Sequence, residues 1–272
     1  MSNFAFCVLG SGSSGNCSLL KIDATRWIMI DAGNSMRQTK ERMRTHNIVM
    51  DDVSDLLLTH LDRDHFNPAW CRTLRSRNMR VHVHARHVDR AVRCGLDRSI
   101  LRPFETSIRF ESVHIDTIHM AHDELGTVGF IFHHVDCGTR FGFATDLGQV
   151  PPTLLDAFTS LDVLAIESNY DPGMQQSSGR PEFLQERIMG GSGHLSNIES
   201  LAAVRQISET STLQHIVLLH LSRQCNSPAL IQDLYETNLA HLYSFLTITN
   251  QDRCSRLLRL EKQGSQEPTL LF

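Results

Sequence analysis

Short apolar runs separated by polar and glycine-rich turns dominate this chain, and their lengths suit strands more often than helices. Phe4 to Leu9, Ser18 to Asp23 and Trp27 to Ile30 read as three opening strands, and Met36 to His46 as the first helix. Leu56-Leu57-Leu58 is a buried strand ending at Thr59. Pro68 is placed to open a helix reaching about Arg77, Arg80 to His84 alternates like a strand, and a helix from His87 to Cys94 is closed by Gly95. Between Ile100 and Thr145 the period shortens to two, predicting strands over Ser107–Phe110, Val113–Met120, Thr127–His133 and Arg140–Thr145. Leu161–Ile166 and His215–Leu219 read as buried strands, with a loop holding Pro172, Gly173 and Gly179 between them. Helices are predicted at Pro181–Met189, behind Asn197 as N-cap, and at Pro228–Ala240. Ser244–Thr249 and Arg256–Leu260 are late strands, and the tail past Gln263 reads as irregular. Without repeat, low-complexity tract or linker, residues 1–272 read as one domain. The alternation of strands and helices, with candidate ligands at strand ends, suits an α/β fold of two sheets packed face to face with helices outside.

Composition adds little to the class but constrains the partners. The chain is 41% hydrophobic and 21% charged, ordinary for a globular core of this length. A net charge of −4 gives no global basic field to attract nucleic acid. Locally the balance reverses: positions 63 to 109 hold 11 Arg and no Lys against 4 acidic residues, an arm able to track a phosphate backbone or simply to solvate helix faces. The seven cysteines form no Cys-x-x-Cys pair, which points to reduced thiols and a cytoplasmic location. No segment reads as a signal peptide or a membrane span, and nothing in the pattern specifies an oligomeric state.

The chemistry is concentrated at strand ends. His60-Leu61-Asp62-Arg63-Asp64-His65 puts two imidazoles and two carboxylates within six positions directly after a strand, a donor set for zinc, manganese or iron. Asp31, before Gly33, is placed to orient a ligand histidine from behind. His122, Asp146, Glu167 and His220 follow other predicted strands. His82 and His84 share a strand face and suit packing or the surface better than a metal. The Gly10-Ser11-Gly12-Ser13-Ser14-Gly15 run matches a dinucleotide fingerprint, but a strand rather than a helix follows it, so the Rossmann reading is weak. Ser14 and Asn16 in that loop, with Glu167, are candidate substrate or supporting residues.

Taken together these motifs resemble the metallo-β-lactamase superfamily. Asp31, His60 to His65, His122, Asp146 and His220 stand in the order of its five motifs. Phrases at 12–17, His122-Asp123, Thr145-Asp146, Glu167-Ser168-Asn169, Gly193 to Asn197 and His220-Leu221-Ser222 with Asn226 look like the YycJ/WalJ-like metallohydrolase branch. The resemblance spans roughly residues 10 to 230 and implies a four-layer αββα metallo-β-lactamase-like sandwich of two mixed sheets with helices on the outer faces, holding two divalent ions. One would be bound by His60, Asp62 and His122, the other by Asp64, His65 and His220, with Asp146 bridging. Two departures stand out: Asp62 replaces a histidine, and Tyr170 follows Glu-Ser-Asn where the branch has histidine. The anionic oxygen of Asp62 leaves Mn or Fe open beside Zn.

Such a centre holds a hydroxide between its ions for attack at phosphorus, with Asp64 in the catalytic set. His194, flanked by glycine before a helix, is the candidate proton donor to the leaving group, or else caps that helix. The resemblance implies a phosphodiesterase or exonuclease acting on nucleic acid, DNA above RNA. A hydrolase of a small ester, thioester or cyclic phosphodiester is the first alternative, since one fold hosts several chemistries. A non-catalytic metal- or ligand-binding protein is the second.

Overall fold

The computed structural model describes residues 3–122 and 124–261, so Asp123 and the tail past Gln263 lie outside the described residues. In the first half, β1 (Ala5–Gly10), β2 (Cys17–Lys21), β3 (Trp27–Ile30), α1 (Met36–Arg44), β4 (Val53–Leu57), α2 (Cys71–Ser76), β5 (Arg80–His84), α3 (Val88–Arg93) and β6 (Leu101–Phe104) follow one another. The second half opens with β7 (Ser107–Arg109), β8 (Val113–Met120), β9 (Thr127–His134), β10 (Arg140–Ala144), α4 (Pro152–Ala157) and β11 (Val163–Glu167). It continues through α5 (Pro172–Gln176), α6 (Glu182–Met189), α7 (Asn197–Glu209), β12 (His215–Leu219), α8 (Pro228–Asn238), α9 (Ala240–Tyr243), β13 (Leu246–Ile248) and β14 (Leu258–Arg259).

The strands form two seven-stranded mixed sheets, ordered β14-β1-β2-β3-β4-β5-β6 and β13-β12-β11-β10-β9-β8-β7. In each, an antiparallel meander meets a parallel block, at β3 in the first sheet and at β10 in the second. Between the sheets lies an aromatic core. Phe6 meets Phe141 at 4.8 Å between ring centroids, and Phe132 stacks on Phe141 at 5.3 Å, within the range of favourable ring pairs. Leu56, Leu74, Val81 and Ala91 bury the first sheet's outer face, and Leu164, Leu201, Val204 and Ile231 the second's. These are the two packed sheets with helices outside that the pattern predicts, and the four-layer sandwich that the resemblance implies.

Burial explains which strands are easiest to read. β12 is a continuous apolar run because both its faces are covered. β8 alternates because much of one face is open to water. Several expectations are corrected. The strand before the metal loop ends at Leu57, not Thr59. Asn197 is the first residue of α7 rather than its cap: Ser196 caps it, accepting from the Glu199 N–H at 3.2 Å while Glu199 takes the Ser196 N–H at 2.8 Å, a reciprocal capping box. The Asn197 side chain is committed instead to the Ser168 hydroxyl at 2.7 Å. The loop after Pro172 contains α5, and the helix begun at Pro228 breaks at Leu239 before α9.

Candidate metal centre

The parallel strands of both sheets point their carboxyl ends at one cleft. Three turns there use left-handed backbone at non-glycine residues: Asp31 (φ 59°), Asp146 (φ 53°) and His220 (φ 56°) follow β3, β10 and β12. Aspartate and histidine tolerate that region better than branched residues do. Behind them, Gly33 lets the metal loop approach. A Cβ there would lie 1.7 Å from the Asp64 carbonyl oxygen, so only glycine fits.

Two ligand-like groups result. His60, Asp62 and His122 bring one donor atom each within 4.8 Å of one another, and so do Asp64, His65, Asp146 and His220. Asp146 reaches several of these side chains. Its Oδ2 lies 2.7 Å from His65 Nε2, and its Oδ1 lies 3.6 Å from His220 Nε2 and 3.9 Å from His122 Nε2. His220 Nε2 is also 3.1 Å from Asp64 Oδ2. A third, overlapping group joins Asp146, Glu167, His194 and His220.

The surrounding bonds fix which ring nitrogens face inward. Asp31 Oδ2 accepts from His65 Nδ1 at 2.7 Å and from the Thr59 hydroxyl at 2.9 Å. His60 Nδ1 lies 3.0 Å from the Thr59 hydroxyl, and its buried Nε2 has no hydrogen-bond partner. A buried, unpartnered imidazole nitrogen beside Asp62 and His122 is what a metal ligand requires, so the donor set fits a divalent cation. Asp62 fits as well: Arg90 holds its Oδ1 at 2.6 Å, leaving Oδ2 on the side of His60 at 3.9 Å.

The carboxylates and imidazoles of the cleft shift one another's proton affinity. Burial alone would strip His65, but the Asp146, Asp31 and Asp64 carboxylates hold its imidazolium well above the usual range. His220 is pushed up to about 10 against burial by Asp146, Asp64 and Glu167. Asp146, despite burial, is held well below the carboxylate range by His220 and His65. His60 goes the other way, lowered by burial and by the charge on His65. Cations and protons compete for the same nitrogens, so metal uptake at such a site releases protons.

The remaining candidates divide. Glu167 accepts from His194 Nδ1 at 2.7 Å and from the Leu147 N–H at 2.6 Å, so it orients His194 and the turn after Asp146. Asn16 pins the glycine loop to the metal loop, its N–H donating to the Asp64 carbonyl at 2.6 Å and its Nδ2 lying 2.9 Å from His65 Nε2. Ser14 is exposed and gives its N–H to Gln251; its neighbour Ser13 lines the cleft instead. Tyr170 is buried beside Ser196, outside the metal groups. His82 is bound to Asp55 at 2.7 Å, and His84 packs on Phe104 and His119, so both are structural. Sequence reasoning passed over Asn169, whose Nδ2 lies 2.9 Å from His220 Nδ1; its place beside Glu167 at a strand end was the available signal.

The arginine arm, read as either a phosphate track or a solvated helix face, is partly paired within the protein. Arg75, Arg77, Arg80, Arg90 and Arg98 are paired with Asp97, Asp51, Asp55, Asp62 and Asp89, and the three of these acids outside positions 63–109 lower the excess of the arm from +7 to +4. The count of positions 63–109 missed this because Asp51, Asp55 and Asp62 lie just upstream.

An αββα sandwich with a histidine–carboxylate cleft at the strand ends defines a class, the metallo-β-lactamase-fold hydrolases. The family model described as a beta-lactamase superfamily domain matches residues 26–220, and the chain belongs to that family. It is similar to the exodeoxyribonuclease YycJ of Bacillus anthracis, 24% identical over 227 residues, 81% of this chain and 83% of that protein. It is similar also to the exodeoxyribonuclease WalJ of Streptococcus pneumoniae, 26% identical over 229 residues, 82% of this chain and 83% of that protein. Among solved structures, Zn(2+)-bound PqqB from Methylobacterium extorquens has a TM-score of 0.69 at 17% identity, over 94% of this chain and 100% of that one; it shares the fold. Among the described residues, no helix is long and apolar enough to cross a membrane.

Proposed function

We propose that this chain, acting as one domain, is a two-metal phosphodiesterase that cuts nucleic acid from an end, with DNA the favoured substrate. His60, Asp62 and His122 would hold one divalent cation and Asp64, His65 and His220 the other, with Asp146 shared. The observation that carries this reading is the reach of Asp146 into both groups, together with the buried, unpartnered Nε2 of His60. Such a pair supplies an activated water and Lewis acidity at phosphorus when bound. Zinc suits the imidazoles, and the Asp62 oxygen also admits manganese or iron.

The chain's own residues supply the rest. Asp31, Asn169 and Thr59 keep the ligand imidazoles in one orientation. His194, its Nδ1 donating to Glu167, presents its other nitrogen for proton transfer to the leaving oxygen. The relatives' names, exodeoxyribonuclease, support a DNA substrate. The seven free cysteines support work in the reducing cytoplasm. Partial neutralisation of the arginine arm favours a second reading, a hydrolase of a small ester, thioester or cyclic phosphodiester.

Elemental analysis of purified protein, with assays on bis-nitrophenyl phosphate, labelled DNA and a thioester, tests the choice. His65→Ala and Asp146→Ala are expected to lose metal and phosphodiesterase activity together, and His82→Ala to keep both. Stoichiometric metal in Asp146→Ala would remove the shared-ligand role. Turnover of the thioester alone would move the protein to the second reading.

A further inference from the structure

The cleft above the metal groups, about 540 Å³, is walled on one side by α6 and the loop before it. Arg180, Leu184, Arg187 and Ile188 line it together with Asp64 and His194. None of the α6 residues is buried, so this helix is held against the cleft without joining the core. Its two arginines differ from those of the 63–109 arm. Arg180 is fixed by neutral partners, Gln224 Oε1 at 3.1 Å and Gln175 Oε1 at 3.1 Å, which position the guanidinium without cancelling its charge. Arg187 has no ion pair and no side-chain hydrogen bond among the described residues. Both stand in a cleft containing Asp62, Asp64 and Asp146 yet form no salt bridge with them. Phe183, one helical turn before Arg187 and so on the same face of α6, is 70% exposed and lies beyond the residues that line the cleft.

Fixed or available guanidinium charge beside a reacting centre suits a phosphate oxygen. An exposed aromatic next to it suits an unpaired base. We propose that Arg180 and Arg187 bind backbone phosphates flanking the scissile one in single-stranded DNA, while Phe183 stacks on a base of the same strand. This rests on the nuclease reading above and replaces the arginine arm as the guide for the strand.

The test is binding, read by fluorescence anisotropy with metal-loaded protein and a labelled single-stranded phosphorothioate DNA of about 12 nucleotides, over about 50 to 200 mM salt. Arg187→Ala and Arg180→Ala are each expected to reduce the slope of log affinity against log salt by about 0.7, one phosphate contact apiece. Arg187→Lys should restore that slope. Phe183→Ala should weaken binding about 5- to 150-fold with the slope intact, the size of one lost base stack. Arg77→Ala, whose partner is Asp51 on the protein itself, serves as the control and should change neither quantity. An unaltered slope in Arg187→Ala while wild type binds DNA overturns the α6 assignment alone. Failure of wild type to bind at the lowest salt overturns the nuclease reading with it.

Discussion

Asp31, Asp146 and His220 occupy backbone that side-chain-bearing residues rarely adopt, and all three meet at the cleft. Strain of this kind costs on the order of 1–3 kcal/mol per residue and persists only where the surroundings over-determine it. Here the surroundings are explicit: Thr59 holds Asp31, His65 faces Asp146, and the His220 N–H donates to the Ser11 hydroxyl at 2.7 Å. The residue types were legible in the sequence because each sits where an apolar run stops. Their strained backbone was not, since strain depends on partners from distant segments. The same holds for His194, which sequence left between catalysis and capping. With Ser196 capping α7 and Glu167 gripping Nδ1, His194 is expected to act in proton transfer. His194→Ala should lower kcat about 10²- to 10⁴-fold with both metal equivalents retained by elemental analysis. Loss of one equivalent would make it a ligand in the third group.

Elements were readable in proportion to their burial pattern. β8 and β12 emerge with the boundaries the periodicity predicts, one from alternation and one from an unbroken apolar run. The short α4 and α5 were missed because five or six residues offer too little helical period to see. His82 was legible as a packing residue, but its partner was not. Asp55 on β4 is fully buried and bridges to β5, accepting from His82 at 2.7 Å and from Arg80 at 2.7 Å. Burial raises the Asp55 carboxyl, and the bonds from His82 and Arg80 outweigh it, leaving the group lowered to about 2. An unfolded aspartate titrates near 3.9. The pair's contribution is therefore complete above about pH 4 and is lost as pH falls toward 2. Asp55→Asn should cost about 3 kcal/mol at neutral pH in urea unfolding, the price of breaking a buried pair. It should also flatten the stability profile across that acid window. An unchanged acid profile would show that Asp55 is not the group responsible.

For the molecule as a whole, the packing of two sheets with helices outside was legible because two alternations, strand to helix and apolar to polar, agree throughout the chain. The direction of the arginine field was not, because pairing is a property of the folded surface rather than of any segment. The family assignment and the fold converge on a centre shared by both sheets. Metal bound there should stabilise the folded state by about 2.7 kcal/mol at a hundredfold excess over Kd. For a chain of this size that is a rise in Tm of about 5–10 °C by calorimetry. Asp146→Ala should show little of that rise. A wild-type Tm indifferent to zinc, manganese and iron would argue against a cation in the cleft.

His60, Asp62, Asp64 and His65 come from the first sheet's side, whereas His122, Asp146 and His220 come from the second's. Neither half of the polypeptide owns a full coordination sphere, so an ion seated among them would rivet one sheet to the other. Cleavage of the chain between β6 and β7 would then leave two pieces that find each other better with metal than without it.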